Sequence, residues 1–460
     1  MPRVLFKGAR VLSLNDDVGD WDQADVLVDG SVIAEVGENL DAPNAELFDA
    51  RGMLLMPGMV DSHTHLWQSI FRGRPSEGWG WEFFEVIPQF GSWMSPDDVF
   101  AAVYSGAVEM ISVGVTSVLD YFQCALSPDH ADAAVAALKK AGIRALFGYD
   151  LLGHDPRGRG VLKTWAQRTQ DVIRVREALN NEGGLVQCGV CLSTVTPSAM
   201  DVTKREVHFA RDLGCRMSHH NNSAGEVVLL HEAGLLGPDI LGAHCNYVTN
   251  DDVALLASVK GFISTQPEVE THSGRRPMTM VARAHRAGVR VALGVDCPGF
   301  VNPGIMTQMR FLYFLQRFMD GIDERLEGHV PLARRPGVPT LSARDVLRFG
   351  TVNGAAAIGL EGLTGQIAPG YQADLVLLDA RTFGMAEGDP AAHVVLNAES
   401  RDVDTVMIAG EFRKRAGELI GVDLADVSAS RSIARDRVLS AAGEYGTPPK
   451  RIHWNWVSQH

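Results

Sequence analysis

Apolar residues recur along this chain with two spacings, and the change from one to the other divides it. Residues 1–56 carry short alternating runs, "RVLFKGARVLSL", "ADVLVDG" and "VIAEVG", broken by Gly and Asp. Alternation of this kind marks strands with one buried face, and the breaks mark turns. "ADLVLLDA" (373–380) and "VDTVMIAGEFRKRAGEL" (403–419) repeat the texture near the other end. Two flanks of like pattern around a different middle predict one small β-sandwich built from residues 1–56 and 365–425.

The middle, residues 57–364, alternates short apolar runs with longer stretches of helical period. The runs are "LLMPGMVDSHTH", "TSVLDYF", "IRALFGYD", "LVQCGVCLS", "CRMSHH", "DILGAHC", "GFISTQ" and "VRVALGVD". Between them lie "SPDDVFAAVYSGAVEMISVG", "DHADAAVAALKKAG", "TPSAMDVTKREVHFARDLG" and "DDVALLASVKG", several opening on a Ser, Thr or Asp cap and closing at Gly. Eight strand–helix alternations predict an α/β fold of the (β/α)8 TIM-barrel kind. An open doubly wound sheet is the alternative, but the Gly-rich phosphate cradle that usually accompanies it is not evident. Residues 426–460 are expected to form a C-terminal helix and tail.

Composition narrows the partners. The chain has 460 residues, 46% hydrophobic and 21% charged, with a formal net charge of -14. That balance argues against nonspecific binding to nucleic acid or anionic membranes and points to a small-molecule substrate. The first residues lack the long apolar core and cleavage site of a secretion signal, and no segment has the apolar length of a membrane span, so a cytoplasmic location is expected. A homo-oligomer is expected as well. The six cysteines, including the Cys188-x-x-Cys191 pair, read as structural thiols, because no second pair follows at zinc-ribbon spacing.

The chemistry lies at the strand ends. In a parallel barrel all C-terminal strand ends share one mouth. The first run ends in His63 and His65, whose i, i+2 spacing puts both imidazoles on one face. The fifth ends in His219 and His220, the sixth in His244 and the eighth in Asp296. Any one of these has an ordinary reading as an exposed or turn-forming residue. Together they fit imidazoles and a carboxylate around one divalent ion, with a further His beside it.

With these motifs in order, "PGMVDSHTH", "GAHCNYVTNDD", "LGVDCPG" and "FGTVNGAAAIGLEGLTGQIAPGYQADLVLLD", the chain resembles the amidohydrolase superfamily over nearly its whole length. Within it the chain looks like the branch holding cytosine deaminase and the triazine hydrolases. That resemblance implies a single metal ion, zinc with iron, manganese or cobalt as alternatives, held by His63, His65, His219 and Asp296. His219 is preferred to His220 because Glu226 then falls seven residues on, where the family often has Glu. The family's sixth-strand His falls on His244, which would polarise the attacking water or the substrate carbonyl, while Asp296 would act as base.

Two departures shape the expected activity. The fourth run offers no Lys or Glu to bridge a second metal. Deaminases of this branch usually carry Glu three residues past the fifth-strand ligand, as a proton shuttle, and counted from His219 that place holds Asn222. An amide cannot relay a proton as a carboxylate can, so Asn222 is expected only to position. The expectation is therefore hydrolysis of a C–N bond in an amide, N-substituted urea or (thio)carbamate, close to the phenylurea and molinate hydrolases. The alternatives are a deaminase or dechlorinase of an aromatic heterocycle and, from another class, a non-catalytic binding barrel. Trp67, Gln68, Trp79, Trp81 and Phe84 in the long loop after the first run, with Glu268 after the seventh, are the expected substrate contacts.

Overall fold

The computed structural model describes residues 3–73, 87, 89–153, 155, 157–193, 195–272, 281–326, 328, 341–381 and 388–443. Eight parallel strands pair in strict chain order: Met59–Thr64, Val115–Phe122, Arg144–Asp150, Val186–Cys191, Met217–Asn221, Ile240–His244, Phe262–Thr265 and Arg290–Leu293. All eight expected runs are strands, and near-continuous burial, as in "VTSVLDYF", reflects a sheet covered on both faces. The four expected helices form at Pro96–Ser112, Pro128–Ala141, Met200–Asp212 and Asn250–Ser258. Capping boxes at Ser95/Asp98 and Thr249/Asp252 fix two of their starts by satisfying N–H groups that the first turn leaves unpaired.

The ring closes between the first and eighth strands. Asp296 N–H donates to the His63 carbonyl (2.8 Å), and His65 N–H donates to the Asp296 carbonyl (2.8 Å). Approach this close demands a bare backbone at Gly294, where a Cβ would lie 2.6 Å from the His63 oxygen. Val60, Leu119, Tyr121, Leu146, Cys191 and Leu241 are among the side chains filling the interior, and the segment Ala355–Ile358 plugs its N-terminal end.

The chain ends build the second sheet. Five strands, Arg3–Val11, Trp21–Asp29, Val32–Gly37, Glu46–Asp49 and Met53–Pro57, join four later ones, Leu375–Asp379, Val403–Ile408, Glu411–Arg415 and Glu418–Leu419. The two flanks meet where Met53–Pro57 pairs antiparallel with Leu375–Asp379. The nine strands form one continuous hydrogen-bonded sheet from both flanks. It curls on itself: Phe412 reaches across to Phe6 (6.3 Å between ring centres) and Phe48 (6.1 Å). Two segments outside this sheet pack on the barrel's helices. Pro390–Leu396 lies against Ile305–Leu326 and Ala343–Phe349, and Leu424–Ala442 lies along Pro96–Ser112, tied by Arg437 to Asp98. No described helix is long and apolar enough to cross a membrane.

One buried ion pair joins barrel to sheet. Arg144, on the third barrel strand, makes a two-pronged contact with Asp374 (2.7 and 3.0 Å), and the exposures of the two side chains are 6% and 0%. Asp374 also accepts the Ala409 N–H (2.7 Å). Removing one member of a buried pair strands the other charge, so Arg144→Met is expected to cost about 3–5 kcal/mol, read as a lower urea midpoint. A loss within the error of a surface substitution would show that the pair does not join the two units.

Candidate metal centre

His63 and His65 leave the first strand on one face with their rings 4.9 Å apart and nearly perpendicular. His65 Nδ1–H donates to the Tyr121 carbonyl (2.9 Å), which turns Nε2 inward. There His65 Nε2 lies 3.2 Å from Asp296 Oδ1 and 3.4 Å from His220 Nε2, and His63 Nε2 lies 3.5 Å from Asp296 Oδ1. His244 Nε2 is 3.8 Å from Asp296 Oδ2. Two overlapping triads result, His63/His65/Asp296 and His63/His220/His244, each with candidate donor atoms within 4.8 Å of one another. Neither ring nitrogen of the fully buried His63 has a hydrogen-bond partner. Buried polar atoms without partners are rare, and several aimed at one point fit a divalent cation with N and O donors.

The fifth strand corrects the expectation for His219. Ser218 stands opposite Cys191, an interior residue, whereas Met217 faces the core between strands and helices. Alternation then sends His220 inward and His219 outward. The His220 ring lies 4.4 Å from the Tyr121 ring, tilted by 44°, and His219 Nδ1 instead lies 3.5 Å from Glu226 Oε2. The place three residues past the inward His is therefore Ser223 rather than Asn222. The backbone N–H groups of Asn222 and Ser223 both donate to Glu226 Oε1 (3.0 and 2.7 Å), so the described bonds of Asn222 run to Glu226 and not to the histidines. Glu226 braces the loop through these bonds and His219.

The cluster is electrostatically self-consistent. Burial lowers the His63 pKa to about 4 and pushes His220 well below the usual range, with the neighbouring imidazoles adding to the His220 shift. Burial alone would raise Asp296, but the imidazoles of His63 and His65 against its oxygens outweigh it and hold the carboxyl well below its ordinary value. Neutral imidazoles keep lone pairs available, and an ionised carboxylate supplies charge, as a cation site requires. Below this layer Asp61 Oδ1 accepts the N–H groups of His63 and Val295 (both 3.1 Å), and Asp120 Oδ1 accepts that of Leu66 (3.0 Å). Burial raises Asp61 well above the usual range and Asp120 to about 7.

Two strand ends share an unusual backbone. His244 has φ +72° with Cys245 N–H bonded to the Ala243 carbonyl (3.0 Å), and Asp296 has φ +65° with Cys297 N–H bonded to the Val295 carbonyl (3.0 Å). Each is the centre of a γ-turn of the strained, positive-φ kind. The matching strings "GAHC" and "GVDC" are its trace in the sequence.

The expected substrate contacts divide. Trp67 is enclosed in the main core beside Phe71 and Gly91, which makes it a packing residue, and Gln68 is buried in the same short turn Leu66–Phe71. Glu268 is half-buried, with Oε2 accepting from Gln308 Nε2 (2.6 Å). Trp79, Trp81 and Phe84 lie outside the described residues. Tyr121 and Glu270 were missed. Tyr121 hides in an unbroken apolar run, and Glu270 stands in a stretch rich in charged residues but is only 4% exposed and lies 3.4 Å from His244 Nδ1.

A comparison of the whole sequence with family models matches residues 54–413 to the amidohydrolase family. The chain belongs to that family. This amidohydrolase is a hydrolytic enzyme acting on carbon–nitrogen bonds. It is 30% identical to a 5'-deoxyadenosine deaminase of Methanothermobacter thermautotrophicus over 90% of this chain and 94% of the relative. Its fold is similar to that of an adenosine deaminase from Xanthomonas campestris with bound zinc (TM-score 0.82, 21% identity, 95% and 98% of the two chains). It is also similar to atrazine chlorohydrolase from Arthrobacter aurescens complexed with zinc (TM-score 0.78, 19% identity, 94% and 100%).

Two outcomes follow from the geometry. His220→Ala should lose most bound divalent metal in elemental analysis of purified protein while His219→Ala retains it, and the reverse would make His219 the inward residue. At the strained turn, His244→Gly should be more stable to urea than His244→Ala by about 1 kcal/mol, because glycine tolerates φ > 0 where a Cβ does not. The opposite ranking, normal for a strand, would remove the strained turn.

Proposed function

We propose that this amidohydrolase is a mononuclear, zinc-dependent deaminase of an amino-substituted nitrogen heterocycle, of the size and kind of an adenine nucleoside. The observation that carries it is the convergence of His63, His65, His220, His244 and Asp296 on one point at the barrel mouth. Similarity to a deoxyadenosine deaminase along almost the full length of both chains supports the substrate class. The urea and carbamate reading rested on the absence of a shuttle carboxylate; counted from His220 that place holds Ser223, which is no carboxylate either, so it is the similarity to a deaminase that favours the heterocycle.

In this reading His63, His65, His220 and Asp296 hold the ion; other divalent metals suit the same donors, but zinc accompanies similar folds. Bound there, the metal supplies Lewis acidity and makes water acidic enough to ionise near neutral pH. Asp296 accepts the proton of the attacking water and delivers it to the departing amine. His244, beside Asp296, accepts a hydrogen bond from the attacking water at Nε2 and so orients it toward the ring carbon. Glu268 contacts the heterocycle from the seventh-strand loop. Enclosure by buried imidazoles keeps bulk water from competing for these contacts.

A panel of adenosine, 5'-deoxyadenosine, 5'-methylthioadenosine, cytosine, a chlorotriazine, an N-substituted urea and a carbamate tests the assignment. The expected result is release of ammonia from an aminoheterocycle, with the amino group replaced by oxygen in the product, lost on chelation and restored by zinc. Turnover of the urea or carbamate with none of any aminoheterocycle would overturn it.

A further inference from the structure

The seventh-strand loop, "STQPEVE", carries a carboxylate that the reaction above does not use. Glu270 sits in the short helix Pro267–His272, and its side chain turns back under the mouth rather than out to water. Three donors hold it. Gln266 N–H bonds Oε1 (2.7 Å), while Thr265 Oγ1 (2.7 Å) and Asn246 Nδ2 (3.3 Å) bond Oε2. Oε1 so fixed lies 3.4 Å from His244 Nδ1, and the opposite ring nitrogen, Nε2, faces Asp296 Oδ2.

An imidazole can rotate by half a turn about its Cβ–Cγ bond and exchange the two faces, and nothing in its shape prevents this. Around the ring stand His63, edge-on at 5.5 Å, and His220, stacked at 5.6 Å. A fixed acceptor on one side does choose: it favours the tautomer with the proton on Nδ1 and the lone pair on Nε2. We propose that Glu270 is a positioning residue for His244, locking the ring so that its unprotonated Nε2 points at Asp296 and the reacting atoms. Asn246 belongs to the same device, since it lies two residues beyond His244 on the sixth-strand loop and grips the other carboxylate oxygen. The carboxylate thus clamps the sixth-strand end to the seventh.

The inference rests on His244 facing the reacting centre, and its test is chosen to be readable without turnover. Histidine-selective ¹⁵N NMR of the zinc-loaded protein, with the His244 resonances identified by their loss in His244→Gln, reports which ring nitrogen carries the proton. Wild-type protein should show Nδ1–H, and Glu270→Ala should show a mixture of tautomers or the Nε2–H form. Thr265→Val, which removes one support of Glu270 but leaves Oε1 beside the ring, should keep the wild-type pattern while lowering the melting temperature. Where turnover of a substrate is established, Glu270→Ala should lower kcat about 10- to 100-fold, the order found for outer partners of metal-binding histidines, with KM nearly unchanged, and Glu270→Asp should recover part of it. An unchanged Nδ1–H signal in Glu270→Ala would overturn the proposal and leave Glu270 as a support of the loop, whatever the enzyme hydrolyses.

Discussion

The pairing of His63 and His65 with Asp296 through main-chain hydrogen bonds is the contact on which the molecule depends. It closes the barrel, and it does so at the residues whose side chains form the site. The neighbouring bonds reinforce it: Asp61 accepts from both strands, and Ser62 Oγ donates to the Leu293 carbonyl (2.8 Å). Because the seam and the site coincide, the distance between the first-strand imidazoles and the eighth-strand carboxylate is set by the closure geometry and not by flexible side chains. Preorganisation of this kind limits the reorganisation needed when charge develops.

The site is also where the fold accepts its least favourable features. Three residues with positive φ, His244, Cys245 and Asp296, each of order 1–3 kcal/mol, and several buried polar atoms without hydrogen-bond partners occur at the barrel mouth. A purely structural layer would be filled with branched aliphatic side chains, as the layer beneath it is by Val60, Leu119, Leu146 and Leu241. The strain persists because the surrounding strands, capped helices and the plug at the opposite end over-determine the backbone. A cation bound by the clustered imidazoles would recover part of that cost.

Much of this was legible in the sequence. Apolar periodicity located all eight barrel strands and the flanks that share the second sheet, since long parallel strands and alternating antiparallel ones have different patterns. The census of strand ends found all five residues that converge, but the choice of His219 over His220 as ligand did not match the geometry. It failed where the answer depended on neighbours. His219 and His220 are chemically alike, and which faces inward is fixed by pairing with Cys191 and Ile240 on adjacent strands, information that no local pattern holds. Glu270 sits in a loop rich in charges, and only the folded chain brings it under His244. Trp67 was read as a pocket wall because aromatic loop residues often are, yet its neighbours Phe71 and Gly91 enclose it in the core. The curl of the nine-stranded sheet was hidden for the same reason: Phe6, Phe48 and Phe412 meet only after strands distant in sequence have come together.

The run Met53–Thr64 passes from one sheet into the other through Pro57–Gly58, and its first half pairs with Leu375–Asp379. A ribosome delivers those partners in a fixed order. The barrel's own strands follow one another closely and can associate as they emerge, whereas Met53–Pro57 must wait for nearly the whole chain before its antiparallel neighbour exists. Until then an apolar strand edge stays open beside a ring that is already forming, a situation in which pairing with another chain competes with native pairing. The order of synthesis thus makes the small sheet, rather than the catalytic barrel, the last part of the molecule to be completed and the part most exposed to misassembly.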